Sequence, residues 1–247
     1  MRSLLPFTIF YFILLILHVY AGEFGVYLLD YGETFDAIKN FTKPVLLISL
    51  LAWVGYFAVQ KGLTKFSKWL IVGLVFCLGG DVFLIFQEQD SMWFSLGLGS
   101  FLLGHIAYSI AFTRTHRHDH EVALLKQKGW LLVLVAGYAV YFFSRISPSL
   151  GAMVAPVMLY TIVISVMVLL ALNRYGKVCN RSFWPIAIGA AIFVVSDSVL
   201  AWNKFVSPLE FSHVYIMATY GMAQFLIALG SVFQVVDEAR DEHLQRG

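Results

Sequence analysis

Charge is what this sequence has least of. Only 13% of its 247 residues are Asp, Glu, Lys or Arg, while 60% are hydrophobic. A soluble domain carries about a quarter charged residues, and roughly half that share cannot coat a globule, so a water-soluble enzyme is excluded. The same apolar excess excludes a disordered chain. No basic block is long enough to suggest nucleic acid as a partner. Cysteine is equally sparse: Cys77 and Cys179 cannot form a disulfide framework. Missing too are a glycine-rich phosphate loop, a His-Glu-x-x-His pair and a Gly-x-Ser-x-Gly elbow, and with them the common nucleotide, zinc-hydrolase and serine-hydrolase sites.

What is present is a series of long apolar runs. A hydrocarbon core of about 30 Å needs about 20 apolar residues as a helix, and the sequence predicts eight such spans, over residues 4–22, 43–60, 69–86, 94–114, 129–144, 152–172, 183–202 and 213–235. The fold class is therefore an all-α polytopic membrane protein, a bundle of eight transmembrane helices making one domain over 1–247. The first run, with Arg2 before it and Val19-Tyr20-Ala21 at its end, has the outline of a signal peptide, but its apolar stretch is long for a signal core and reads as an uncleaved helix. With the amino terminus in the cytoplasm, 13 Lys and Arg fall on the inner side and four, Lys39, Lys43, Arg145 and Lys204, on the outer. That bias predicts both termini cytoplasmic, and the short loops suit a bacterial inner membrane.

Two acids lie where acids are costly. Asp81 sits in the third span and Asp197 in the seventh; a carboxylate at the centre of a spanning helix costs about 2.5–3.5 kcal/mol on insertion scales and usually marks function. The plainer reading is a pair of protonated acids that tie helices together. Each lies five residues from the expected outer end of its span, about 7–8 Å below the boundary at 1.5 Å per residue. Their neighbourhoods match as well: Gly73 and Gly189 stand eight residues before the acids, Gly80 and Ser196 just before, Leu84 and Leu200 three after. This is the pattern of two four-helix repeats in parallel orientation.

Few other polar groups share the spans. His105 and Tyr108 lie on one face of the fourth; His213, Tyr220 and Gln224 fall on the eighth, and Tyr160 lies midway along the sixth. Each has an ordinary alternative as an interhelical hydrogen bond. Lys43 and Lys204, expected at the outer helix ends just above the acids, are either snorkelling lysines or a rim that holds phosphate. The run His116, His118 and His120 reads as a solvated loop, since alternate residues face one side only in a strand. A three-histidine metal site from His18, His105 and His213 is disfavoured by their unequal depths, and no metal or other cofactor is expected.

In order along the chain, Thr42-Lys43-Pro44, Gly80-Asp81-Val82-Phe83-Leu84, Phe101 with Gly104, His105 and Tyr108, Ser196-Asp197-Ser198-Val199-Leu200-Ala201, Phe205, Met217, Tyr220 and Gln224 resemble the lysoplasmalogenase-type, YhhN-like membrane proteins. The resemblance runs from Lys43 to Gln224. It implies an eight-span hydrolase that cleaves the vinyl ether bond of a lysoplasmalogen, its lipid partner, to a fatty aldehyde and glycerophospho-ethanolamine or -choline, with no known metal requirement. The residues suit that chemistry on their own terms. A vinyl ether is hydrolysed through protonation of its β-carbon and capture of the oxocarbenium ion by water. This requires one protonated carboxyl and one ionised carboxylate rather than a nucleophile, a division of labour known for paired acids. Asp81 and Asp197 are the candidate catalytic residues, either able to take either role. Lys43 and Lys204 would face the phosphate, and His105, Tyr108, Tyr160, Tyr220 and Gln224 would position water or glycerol hydroxyls. Two other classes remain: a proton- or ion-coupled transporter, in which the acids bind the ion, and a nonenzymatic lipid-binding protein.

Overall fold

The computed structural model describes residues 4–24, 32–114 and 124–246. Its elements are α1 (Leu4–Phe24), α2 (Gly32–Lys61), α3 (Lys65–Ile85), α4 (Ser91–Phe112), the single turn α5 (Leu124–Gln127), α6 (Trp130–Ile146), α7 (Val154–Leu172), α8 (Asn180–Phe205) and α9 (Ser212–Arg246). Two short 3₁₀ turns, Ser147–Ser149 and Gly151–Met153, join α6 to α7. Among the described residues there is no strand, and eight helices are long and apolar enough to cross a membrane. The protein is a multi-pass, all-helical integral membrane protein. The His116–His120 run lies outside the described residues.

Local sequence sets the helix ends. Thr64 caps α3 in a reciprocal box with Ser67, each side chain serving the other's backbone amide (3.0 and 3.2 Å). Asp90 caps α4 by accepting from the Met92 amide at 2.8 Å. Two helices depart most from the expected spans: α9 runs to Arg246 rather than to residue 235, and α2 begins at Gly32 rather than at residue 43 and carries Pro44 within it. Hydropathy counting stops at Lys39 and Lys43, but charged turns cost a helix nothing where they project beyond the apolar slab. Pro44 removes one backbone hydrogen bond without breaking the helix. Lys43 is therefore not at a helix end; it lies in the body of α2 with its side chain only 16% exposed.

The two most extensive pairings are α3 with α4 and α8 with α9, and glycine makes both possible. A side chain at Gly73 would collide with the Tyr108 ring and lie 3.2 Å from the Gly104 carbonyl; one at Gly189 would lie 2.9 Å from the Ala223 carbonyl. Each of these glycines, eight residues before an aspartate, is thus the point where its helix meets the backbone of the next. Ser100 donates to the Phe76 carbonyl at 2.6 Å, and Ser196 to the Ile216 carbonyl at 3.1 Å, stitching the same two pairs. α9 also packs on α1, α2 and α3 and is the most enclosed span, whereas only 6% of the apolar stretch of α6 is buried.

At the end of the bundle opposite the aspartates, Arg174 follows α7. Counted from sequence as a loop charge, it is in fact fully buried. Its guanidinium donates to Ser182 at 2.8 Å and to Gln234, and lies 5.6 and 5.5 Å from the Phe66 and Phe112 ring centres. Gln234 in turn donates to the Arg114 carbonyl at 3.0 Å and to Glu238 at 2.7 Å. The node ties α4, α7, α8 and α9. Truncating one member of such a buried charged network costs about 3–5 kcal/mol, so Arg174→Ala should markedly lower the unfolding temperature in detergent; an unchanged melting curve would show that the node contributes little.

Candidate active site

The site is built where α2, α3, α8 and α9 converge. Asp81 is carried by α3 beside Gly80, whose missing side chain leaves room for the Phe101 ring of α4. Asp197 is carried by α8, which runs to Phe205, three residues past the expected end. Both acids line one polar cavity of about 470 Å³, together with Lys43, Lys204, Tyr220 and His213. The residues around them differ sharply.

Asp81 is 1% exposed. Tyr220 donates to its Oδ2 at 2.9 Å, and the Lys43 ammonium lies 3.8 Å from its Oδ1. Behind Tyr220 the donors run in one direction: Tyr108 gives to Gln224 Oε1 at 2.8 Å, and Gln224 Nε2 gives to the Tyr220 oxygen at 3.4 Å. The chain fixes which atom of Tyr220 faces Asp81: with its oxygen already accepting, its hydrogen is directed at the carboxylate.

Asp197 accepts from Tyr160 at 2.6 Å. Among the described residues no Lys or Arg lies within 4 Å of it; its nearest basic neighbour is His105, with Nε2 4.0 Å from Oδ2, beyond hydrogen-bond reach. The His105 ring stands edge-on to Tyr160 and Phe193, with centres 5.2 and 4.6 Å away, and neither nitrogen has a hydrogen-bond partner among the described residues. Asp197 also borders a second space, a narrow apolar cleft of about 60 Å³ among α4, α6, α7 and α8, lined by Leu98, Phe142, Val157 and Ile164. Leu84, Phe101, Asp197 and Leu200 form part of both walls. Across the cleft Tyr138 of α6 and Ser198 of α8 share a hydrogen bond of 2.8 Å.

Of the residues singled out from sequence, Asp81, Asp197, Lys43, Lys204 and Tyr220 line the polar cavity, and Tyr160 lines the cleft. Lys204 is exposed and stands over the Phe94 ring at 5.0 Å. His105, Tyr108 and Gln224 line neither space; they stand behind the acids and their tyrosines. Two residues were misjudged. His18 and His213, expected at unequal depths, meet with ring centres 5.2 Å apart on the cavity wall. The contact exists because Gly22 has no side chain: a Cβ there would occupy the place of the His213 ring. Their positions, near the end of α1 and the start of α9, were the available signal. Which helices are neighbours was not. Among the described residues no three His, Cys, Asp or Glu side chains are grouped to hold a metal ion.

A bundle of eight membrane-capable helices, with Asp81 buried and Asp197 part-buried on the wall of one cavity, defines the class: a polytopic membrane protein. Comparison with known families matches residues 38–231 to the YhhN family. The chain belongs to that family. It is 34% identical over 190 residues to lysoplasmalogenase TMEM86A of Bos taurus, covering 75% of this chain and 72% of the relative. It is 28% identical over 197 residues to human lysoplasmalogenase TMEM86B, covering 80% and 78%, and 29% identical over 205 residues to a lysoplasmalogenase of Mycobacterium bovis, covering 80% and 74%. No solved structure matches the chain.

Proposed function

We propose that this protein is a lysoplasmalogenase, a membrane hydrolase that splits the vinyl ether of a lysoplasmalogen by acid catalysis with Asp81 and Asp197. The observation that carries the reading is the boundary at Asp197, where a polar cavity meets an apolar cleft. A lysoplasmalogen has its vinyl ether at the same kind of boundary, between a glycerophosphate and a hydrocarbon chain. The headgroup fits the polar cavity with Lys43 and Lys204 beside the phosphate. The first methylenes fit the cleft, which is too small for a whole chain, so the rest of the chain runs along the helix faces into the bilayer. With both termini in the cytoplasm, as the lysine and arginine distribution places them, the cavity opens toward the outer leaflet.

The unequal surroundings of the acids divide their roles. Each carboxylate accepts from a tyrosine, but a negative charge on Asp81 is balanced by Lys43, whereas a charge on Asp197, at the seam of cavity and cleft, has no Lys or Arg among the described residues within 4 Å. A mostly enclosed charge with no cation beside it is expensive, and on this reading the proton resides on Asp197, whose side chain is 17% exposed. In the proposed reaction Asp197 delivers that proton to the β-carbon of the vinyl ether, and the ether oxygen shares the resulting positive charge with the α-carbon. Asp81 stabilises this oxocarbenium ion and takes a proton from the water that attacks the α-carbon. The hemiacetal then collapses, breaking the bond from the α-carbon to the glycerol oxygen and releasing aldehyde and glycerophospho-alcohol. Tyr160 and Tyr220 hold the two carboxyl groups in place, and His105, Tyr108 and Gln224 support them from behind.

A transporter reading has less support: Pro156 falls in the first turn of α7, where proline is accommodated, and no span is broken beside the acids. The direct test is purified protein in detergent with a lysoplasmalogen in heavy water. Aldehyde should be released carrying one deuterium on the carbon next to the carbonyl, because that carbon received the catalytic proton. No aldehyde, or aldehyde without deuterium from a working enzyme, would overturn the mechanism.

A further inference from the structure

Thr42 and His18 together fix a hydrogen-bond acceptor in the cavity wall. The Thr42 hydroxyl has one hydrogen, and it is committed to the backbone of its own helix, 2.7 Å from the Ile38 carbonyl and 3.3 Å from that of Lys39. Its oxygen therefore accepts from His18, whose Nδ1 lies 2.9 Å away. A neutral imidazole with its hydrogen on Nδ1 has a bare lone pair on Nε2. Among the described residues that buried Nε2 has no partner, and His18 is part of the wall of the cavity that holds both aspartates. His213, the ring beside it, does not satisfy it: among the described residues no hydrogen bond joins the two rings, and the His213 Nε2 lacks a partner too. An unpaired buried acceptor is costly, and a donor carried by the molecule that fills the cavity relieves it.

Lysolipids carry such a donor. Resting on the reading of the cavity as a lysoplasmalogen site, we infer that His18 Nε2 accepts a hydrogen bond from the free sn-2 hydroxyl of the glycerol, and so makes the enzyme selective for lysolipids over lipids acylated at that position. An ester there offers only acceptor oxygens, which leave Nε2 unpaired and add a second unpaired acceptor against it. Thr42 is a positioning residue in this arrangement, because it determines which nitrogen carries the hydrogen. The residue is next in sequence to Lys43, which places the hydroxyl recognition beside the Asp81 ion pair, where the glycerol of a bound lysolipid lies.

The test compares kcat/KM for a lysoplasmalogen and for its analogue with hydrogen in place of the sn-2 hydroxyl. Sites that hydrogen-bond a substrate hydroxyl discriminate strongly against analogues lacking it, so the intact enzyme should favour the natural substrate by about 100-fold or more. In His18→Phe, which keeps a ring beside His213 but has no acceptor, the preference should collapse to within about threefold, the mark of a broken pairwise interaction. Thr42→Val, which frees Nδ1 without changing shape, should fall between the two and serves alone if His18→Phe does not fold. An undiminished preference in either active variant, or no preference in the intact enzyme, overturns the inference. Absence of aldehyde from the intact enzyme with the natural substrate would instead overturn the reading of the site as a lysoplasmalogenase.

Discussion

Asp81→Asn and Asp197→Asn are each expected to reduce aldehyde release by about 10²–10⁴-fold, the usual loss on removing a general acid or base. Asparagine matches aspartate in volume and keeps an oxygen that can accept from Tyr220 or Tyr160, so packing and the tyrosine hydrogen bonds survive while the ability to give or take a proton does not. One side effect must be separated from the chemistry. Asp81→Asn leaves the Lys43 ammonium, 3.8 Å away in the native protein and mostly enclosed, without its counter-charge. The double variant Lys43→Met with Asp81→Asn removes both charges and should recover thermal stability without recovering activity. Activity within about tenfold of native in either single variant would make that aspartate a tie between helices rather than a catalytic group.

The second large effect distinguishes acid from base. Azide is a nucleophile that needs no deprotonation, so it can replace water and base together but cannot replace the acid. In Asp81→Ala, Asp197 still protonates the β-carbon, and azide should capture the oxocarbenium ion at the α-carbon, giving a 1-azidoalkyl ether at a rate rising with azide concentration. In Asp197→Ala no cation forms and no adduct should appear. Since the base contributes about 10²–10⁴-fold, rescue should be visible against a low background by mass spectrometry of the lipid product. Rescue of Asp197→Ala alone would reverse the assignment drawn from Lys43 and the cleft, and equal rescue of both variants would show that the two acids are not divided.

Much of this architecture was legible because hydrophobic run length is a local property. The eight spans follow from it, and α3, α4 and α7 lie close to their expected bounds. That two acids would line one cavity was legible for a different reason: a charge inside an apolar run is conspicuous, and matching glycines at equal distances from both acids pointed to equivalent helix contacts. What escaped was whatever depends on which helix lies beside which. Lys43 looked like a helix-end residue because hydropathy cannot see a helix that continues through charged turns. Arg174 looked like a loop charge, although Phe66, Phe112, Ser182 and Gln234 from four helices enclose it. His18 and His213 are separated by most of the sequence, and no periodicity relates them; only the packing of α9 on α1 brings them together. Likewise His105 and Tyr108 share a helix face, yet one faces Asp197 while the other bonds to Gln224 on α9.

The meeting of a wet chamber and an oily slot at a single carboxyl also bears on how turnover ends. In the reaction proposed above, the bond that breaks is the one that straddles the two spaces, so cleavage severs the amphiphile at its own midpoint. The aldehyde is left with its tail already among lipid chains, and the polar fragment is left facing the aqueous side with no tether to the membrane. Each fragment departs into the solvent it prefers. Recombination would require both to return to the same protein molecule from different phases, and partitioning of this kind drives the hydrolysis forward without any moving part.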